Sequence, residues 1–351
     1  MAVQRILEKS GDNYSLALEN VFTDSILSAV RAKTLFIPSS VFGAEDSLPG
    51  VVIATKTIDY GKTHRFHWGG GDYTAEEHTP GDEMIGQQLE FDVGTITVDP
   101  FIVKHYITAM EDQEISHYNP DPTIARLIAV GIAEELDDRA ALMCISAART
   151  AALTKNGITL HPGGNVVSRV DANSTGVDDT TNGPYTDDST GSGAIDDDVA
   201  ELAYKLDQDG VPDEGRTLVI HPWIRSLLRH ETTQFNRDYT GSGGDRNTRM
   251  IGTWHGFNVL APYKRMPTGA NLDKPTKYQI DCTSTTGIPA ALAFCGASTG
   301  QAAVGMVKAA DLRGYVEMQE TKNTIFHKGQ VMCGFGVLHP QCAGLIQITA
   351  A

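Results

Sequence analysis

The chain has 351 residues, 41% of them apolar, enough for one large elaborated domain or two or three smaller ones. Its 44 acidic and 28 basic residues leave a net charge of −16, which repels a phosphate backbone and argues against a sequence-reading nucleic-acid protein. Five scattered cysteines without a C-x-x-C pattern argue against a disulfide scaffold; the polar start MAVQRILEKSGDNY has no apolar leader core, and no apolar run approaches the ~18 residues of a membrane span, so a soluble chain made in a cytoplasm is expected.

In chain order, residues 1–50 open with a polar lead. Leu18, Val21, Phe22, Ile26 and Val30 then recur at helical spacing, and Leu35-Phe36-Ile37-Pro38 ends that helix. So little regular pattern rarely makes its own core, so this stretch is read as an arm lying on something else. Residues 51–98 predict a long two-stranded ribbon. VVIATKTIDYGKTHRFHW is rich in β-branched and aromatic residues, Gly69–Gly71 break it, and TAEEHTPGDEMIG is a polar turn region. On the return, Leu89, Phe91 and Val93 alternate, then Ile96 and Val98 continue one residue out of phase, which predicts a bulge at Gly94. A ribbon without a covering helix is marginal alone, so it is expected to pack on another molecule.

After FIVKHYITAMEDQEISHYN comes the stretch around which the chain is organised, a helix over 121–153. Asp121 is an N-cap, Pro122 fits the first helical position, and Ile124, Ile128, Ile132, Leu136, Ala140 and Met143 form one apolar stripe, with Asn156-Gly157 as the stop. Residues 155–193, rich in Gly, Asn, Thr, Ser and Asp, are expected to be loop. A second helix follows over 195–210, with Asp196–Asp198 at its positive N-terminal end. RTLVI (216–220) reads as a buried strand, HPWIRSLLRH as a short helix opened by proline, QFNRDYTGSGGDRNTR as a polar loop, and GTWHGFNVLAPY as a single strand ending at Pro262. From Ala290 the chain is strand-rich, and no internal repeat is seen.

The charge reverses sharply along the chain. From Asp171 to Glu214 there are thirteen acidic residues and one basic residue; from Arg216 to Arg265 there are eight basic and three acidic. A match between these segments across subunits is the economical reading.

Motifs for chemistry are weak. Gly296-Ala297-Ser298-Thr299-Gly300 fits G-x-S-x-G, which would make Ser298 a nucleophile with His327 or His339 as base, but the regular βαβα alternation of such enzymes is absent and a small-residue turn is the better account. His64 and His67, three apart on a strand, point to opposite faces and do not share a metal. Asp196–Asp198 lack the rest of a calcium loop and are read as helix capping. Gly69–Gly71 and Gly241–Gly244 are flexible loops and not phosphate cradles. No cofactor, metal or catalytic residue is expected.

The order arm, ribbon, long rod and terminal β region resembles the major capsid proteins of tailed phages, with the short-tailed podovirus group most similar. The segments that carry this are SLALENVFTDSILSAVRAK, the ribbon with HTPGDEM near its tip, DVGTITVDPFIVKHYITAMEDQEISHYNPDPTIARLIAVGIAEELDDRAAL, GRTLVIHPWIRSLLRH, RMIGTWHGFNVLAPY, and the run from Ala302 to Ile348. The resemblance implies an α+β chain of the Hong Kong 97-type capsid fold. It divides into an N-terminal arm (1–50), an extended loop (51–98), a peripheral domain (99–155 and 290–351) with the spine helix, and an axial domain (156–289) carrying the acidic loop 155–193. It implies hexamers and pentamers of the chain in an icosahedral shell enclosing double-stranded DNA, with a scaffolding protein during assembly, a portal at one vertex, a possible decoration or cement protein, and no membrane. An encapsulin-like cargo shell is the alternative within the same fold. Expected inter-subunit contacts are Phe22, Ile26, Phe66, Trp68, Glu76, Glu77, Asp82, Glu83, Arg225, Arg229, Arg246 and Arg249. Gly61 and Gly94 are expected hinges.

Overall fold

The computed structural model describes residues 26, 36, 53–58, 61–71, 77, 86, 88–111, 121–171, 185, 189–213, 215–230, 250–260, 266–295 and 302–350. Its architecture is mixed α and β: two principal sheets share one core threaded by a long helix, and a ribbon leaves the body.

The helix, α1, runs Asp121–Ala148, 28 residues or roughly 42 Å at the usual rise. Its first half has the expected stripe: Ile124, Ile128, Ile132 and Leu136 are buried, while Arg126, Leu127 and Glu134 are exposed. From Ala140 to Ile145 every residue is buried and apolar, so here the helix passes through the protein. It stops five residues earlier than the sequence predicts. The cause is tertiary: the chain returns across its end at Gly164, where a Cβ would lie 2.3 Å from the Ala147 carbonyl oxygen, and the Gly164 N–H donates to the Thr150 carbonyl at 2.9 Å. Asn156-Gly157, the expected stop, is instead a hairpin turn between β5 (Leu153–Lys155) and β6 (Ile158–His161). Their φ angles of 50° and 85° suit the turn type that matches strand twist.

The first principal sheet has the order β1-β12-β13-β4, with β1 at Ile53–Thr57, β4 at Ile102–Ala109, β12 at Val304–Gln319 and β13 at Thr324–Val337. The long β12–β13 hairpin is antiparallel and α1 lies across it. The second sheet has the order β7-β14-β11-β8-β10-β9. Its strands are β7 (Asn165–Asp171), β8 (Thr217–Ile220), β9 (Met250–Trp254), β10 (Phe257–Leu260), β11 (Ile288–Phe294) and β14 (Ala343–Ala350). Central β8, β11 and β14 are near-continuous apolar runs because both faces are covered. Helix α2 (Ser189–Gln208) packs on β7 and β14, and α3 (Pro222–His230) follows β8.

Three further expectations are corrected. Residues 155–193 are not all loop: β6 and β7 fall there, built from the β-branched runs ITLH and NVVSRVD. GTWHGFNVLAPY is two strands, because His255-Gly256, with φ of 45° and 82°, forms a second tight turn. Asp196–Asp198 do not cap α2, which begins at Ser189. Asp198 is buried against Arg169 at 2.7 Å and the Tyr185 hydroxyl at 2.6 Å, while Asp196 accepts from Trp254 Nε1 at 2.7 Å. The 289/290 division expected between domains runs through β11.

The ribbon pairs β2 (Thr63–Gly71) with β3 (Leu89–Thr97). Pairing is continuous from Thr63 opposite Thr97 to Gly71 opposite Leu89, so Gly94 carries no bulge and Gly69–Gly71 continue the strand. The change of phase has another cause. Near the root, the even-numbered residues Ile96 and Val98 are buried against the body, whereas further out Leu89, Phe91 and Val93 lie on the opposite face. Gly94 sits across from Phe66, whose ring occupies the space of a side chain: a Cβ at 94 would be 2.2 Å from Phe66 Cζ. Residues 53–58 are not the inner end of this ribbon, since β1 pairs parallel to β12.

Candidate functional site

The sequence offers surfaces and not a reactive centre, and the ribbon is the most prominent of them. Its root crosses the first sheet at Gly334, where a Cβ would be 2.1 Å from the Thr97 carbonyl oxygen. Just beyond, Asp99 is buried and takes three donors: Tyr278 Oη at 2.5 Å, Lys277 Nζ at 2.6 Å and Arg139 Nη1 at 3.3 Å. Lys277 also donates to the Thr97 carbonyl at 2.9 Å, and Tyr278 Oη accepts the Phe335 N–H at 3.2 Å. Burial first, and then the Asp99 carboxylate, push the Tyr278 hydroxyl far above its ordinary value, so it stays a donor. Lys274 completes the cluster by pairing with Glu135 and, at 3.6 Å, Asp138 on α1. One loop, 266–282, thereby ties the ribbon root to the middle of the helix.

Further out, the inward face of the ribbon rests on the β5–β6 hairpin. Lys155 Nζ donates to the Phe91 carbonyl at 2.9 Å, and Asn156 Nδ2 to Glu90 Oε1 at 2.7 Å. The bonds Glu90 accepts from Asn156 and, at 2.6 Å, from Gln88 Nε2 lower its carboxyl below the ordinary value. The Trp68 indole packs on His161 and donates to the Leu338 carbonyl at 2.6 Å. The outward face has no such cover among the described residues: Leu89 is 67% exposed, Phe91 60% and Val93 47%. A second apolar set, Phe101, Val103 and Ile107, is exposed on and beside the edge strand β4.

The residues expected at inter-subunit contacts are distributed differently from the sequence reading. Ile26 is fully buried in the chain's own core. Phe66 and Trp68 turn inward, Phe66 against the Ile96–Val98–Val307 cluster and edge-on to Trp68 at 5.0 Å. All three pack within the chain, Phe66 and Trp68 because even-numbered ribbon positions face the body. Glu77 is exposed, and Arg225 is half-buried on α3, where Arg229 also lies. Phe22, Glu76, Asp82, Glu83, Arg246 and Arg249 lie outside the described residues. Gly61 has φ of +94° and open space around it, whereas Gly94 is fixed by Phe66. Leu89, Phe91 and Val93 were the missed contact candidates. Their alternation was visible in the sequence, but not which face the body would claim.

The acidic–basic reversal is in part satisfied within one chain. Arg216 is buried and pairs with Asp207 at 2.7 Å and Asp213 at 3.0 Å, and His255 lies 2.8 Å from Asp196. Ser298 lies outside the described residues, and the next element among the described residues is the strand β12, whereas a nucleophile elbow leads into a helix. Among the described residues no three His, Cys, Asp or Glu side chains come together as a metal site, and no helix is long and apolar enough to cross a membrane.

Known proteins share this arrangement. No curated protein sequence matches the chain. Among solved structures, the capsid of Cyanophage P-SCSP1u is similar with a TM-score of 0.68 at 23% identity, covering 87% of this chain and 90% of that one. The mature capsid of bacteriophage PhiM1 gives 0.64 at 15% identity, covering 82% of each chain, and the capsid of Ralstonia phage GP4 gives 0.54 at 14%, covering 84% and 86%. At these identities the likeness is one of fold, the Hong Kong 97-type capsid fold that the order of elements implied. A family model described as Gp10A-like major capsid protein matches residues 70–347, well over half of the sequence, and the chain therefore belongs to the Gp10A-like family of major capsid proteins.

Proposed function

We propose that this major capsid protein builds, from copies of itself in hexamers and pentamers, the icosahedral shell of a short-tailed double-stranded DNA phage, and that the outward face of its ribbon is a principal contact between copies. The observation that carries the contact is the stripe Leu89, Phe91 and Val93, exposed on a ribbon whose other face is already packed. Apolar surface left in water on one copy is stabilised when another covers it. The net charge of −16 suits a container that must not adhere to the DNA it encloses. An encapsulin-like cargo shell is not favoured, since the matching family is one of capsid proteins. The family and fold are structural ones, and no catalytic role is assigned to Ser298.

Within this reading, 1–50 is the arm and the extended loop is the part of 51–98 from Gly61 onward, turning about Gly61, while β1 joins the first sheet. The first sheet with α1 corresponds to the peripheral domain, and the second sheet with α2 and α3 to the axial domain. A scaffolding protein, a portal at one vertex and a decoration protein are the expected partners. The test is electron microscopy of the purified full chain beside a Phe91→Ser/Val93→Ser variant. We expect shells from the first and soluble, folded subunits from the second. Normal shells from the variant would remove the stripe from the interface.

A further inference from the structure

We propose that Trp68, His161 and His339 form an acid-released latch between the ribbon and the body of the same chain. The ring centroids of Trp68 and His161 lie 5.2 Å apart at 60°, and the indole N–H is held by the carbonyl of Leu338, the residue before His339. One aromatic side chain of the ribbon is thus seated on one histidine and tethered beside the other. His161 is only 4% exposed, and its Nδ1 is buried without a hydrogen-bond partner among the described residues. Close behind, Gly70 brings the ribbon backbone against Thr159 and Leu160 of the strand that ends in His161. The seat therefore exists, and is closed to water, only while the ribbon is down.

Among the described residues no carboxylate is hydrogen-bonded or ion-paired to the His161 imidazole, although Asp92 shares the inward face of the ribbon with Trp68. On β3, Glu90 is bonded to Asn156 and Gln88, and Asp92 stands opposite Trp68 in the ladder; on β5, Lys155 is bonded to the ribbon backbone; on β2, His67 points outward. The charge that acts on His161 is that of His339, and it is repulsive. Burial lowers both histidines below their ordinary 6.5, and His339 lowers His161 further. An indole face attracts one cation, but it does not offset two placed side by side out of water. When the ribbon lifts, both rings meet water and titrate near 6.5. Lifting is therefore coupled to proton uptake: the latch is fully closed above 6.5 and weakens as pH falls below it. The docking constant drops by up to about tenfold for each unit by which docking depresses each histidine.

The latch would set the angle at which the apolar stripe is offered to another copy. That consequence rests on the assembly reading, but the latch itself is a property of a single chain, so its test uses unassembled subunits. Hydrogen exchange of the full-length chain, corrected for intrinsic rates, is followed from pH 8 to 5 in peptides spanning 63–71 and 158–161, with 139–148 in the helix core as reference. We expect exchange in the first two to rise below pH 6.5 with two-proton steepness while the reference holds. The change should vanish in His161→Phe/His339→Gln, and each single substitution should remove one proton's steepness, which keeps the test decisive should the double variant fail to fold. The same pH response in the variants, or a parallel rise in the helix peptide, would overturn the latch. Shell formation enters neither outcome.

Discussion

Asp99 is the side chain at which the ribbon root, the long helix and the 266–282 loop meet. Its carboxylate is enclosed by Tyr278, Lys277 and Arg139, so its removal would leave Lys277 and Arg139 short of a counter-charge, although Arg139 keeps Glu135 at 2.8 Å. Asp99→Asn should cost about 3–5 kcal/mol in urea unfolding, and Tyr278→Phe, which strands fewer groups, about 1–3 kcal/mol. Equal losses would show that the cluster does not act through the carboxylate. His221 is a second residue whose chemistry the fold has fixed. It precedes Pro222 at the start of α3, and its Nδ1 accepts the Trp223 N–H at 3.2 Å, a cap that only the unprotonated nitrogen can make. Burial pushes His221 down to about 4 from 6.5. The unfolded chain takes up the proton first, so this contribution to stability is complete above 6.5 and is lost as pH falls towards 4, by up to about 3 kcal/mol. His221→Asn keeps an acceptor and removes the titration. The stability difference between wild type and variant should therefore drift over that window, and a constant difference would discount the cap.

At the scale of elements, the sequence is most legible where period and packing agree. The rod, the short proline-opened helix and the C-terminal strands are where the pattern puts them, because each buries a face its own spacing defines. Two tight turns were missed, at Asn156-Gly157 and His255-Gly256. In the first case the pair was read as a helix stop, a role glycine also serves. In the second a histidine stands where asparagine or glycine is usual. A shift of phase means either a bulge or a change of which face is covered, and only the body beneath the ribbon decides between them. Gly94 follows from the second answer, as the space Phe66 fills. Gly94→Ala should displace the Phe66 ring from Trp68 and lower the melting temperature. Phe66→Ala should cost stability too, yet the pair together should cost less than the sum of the singles. Strict additivity in that cycle would mean that Gly94 serves another purpose.

For the whole molecule, charge decides how copies meet. A net charge of −16 on each subunit makes any two repel at a distance, while the ion pairs seen for Arg216, Arg169 and Arg139 are formed within one chain and are not available to a neighbour. The sequence alone suggested the opposite balance, with the acidic 171–214 and basic 216–265 segments attracting one another across subunits. That reading could not foresee that Arg216 and Asp207 fold onto each other first. If apolar burial drives association and charge opposes it, added salt acts on the opposing part: the screening length falls from about 30 Å at 0.01 M to about 3 Å at 1 M. Light scattering of the purified chain should then show the concentration needed for assembly falling as salt rises across that range. If attraction between acidic and basic segments of different copies dominated instead, the same titration would raise it. The slope of that single curve separates a shell held by its apolar stripe against its own charge from one held by charge.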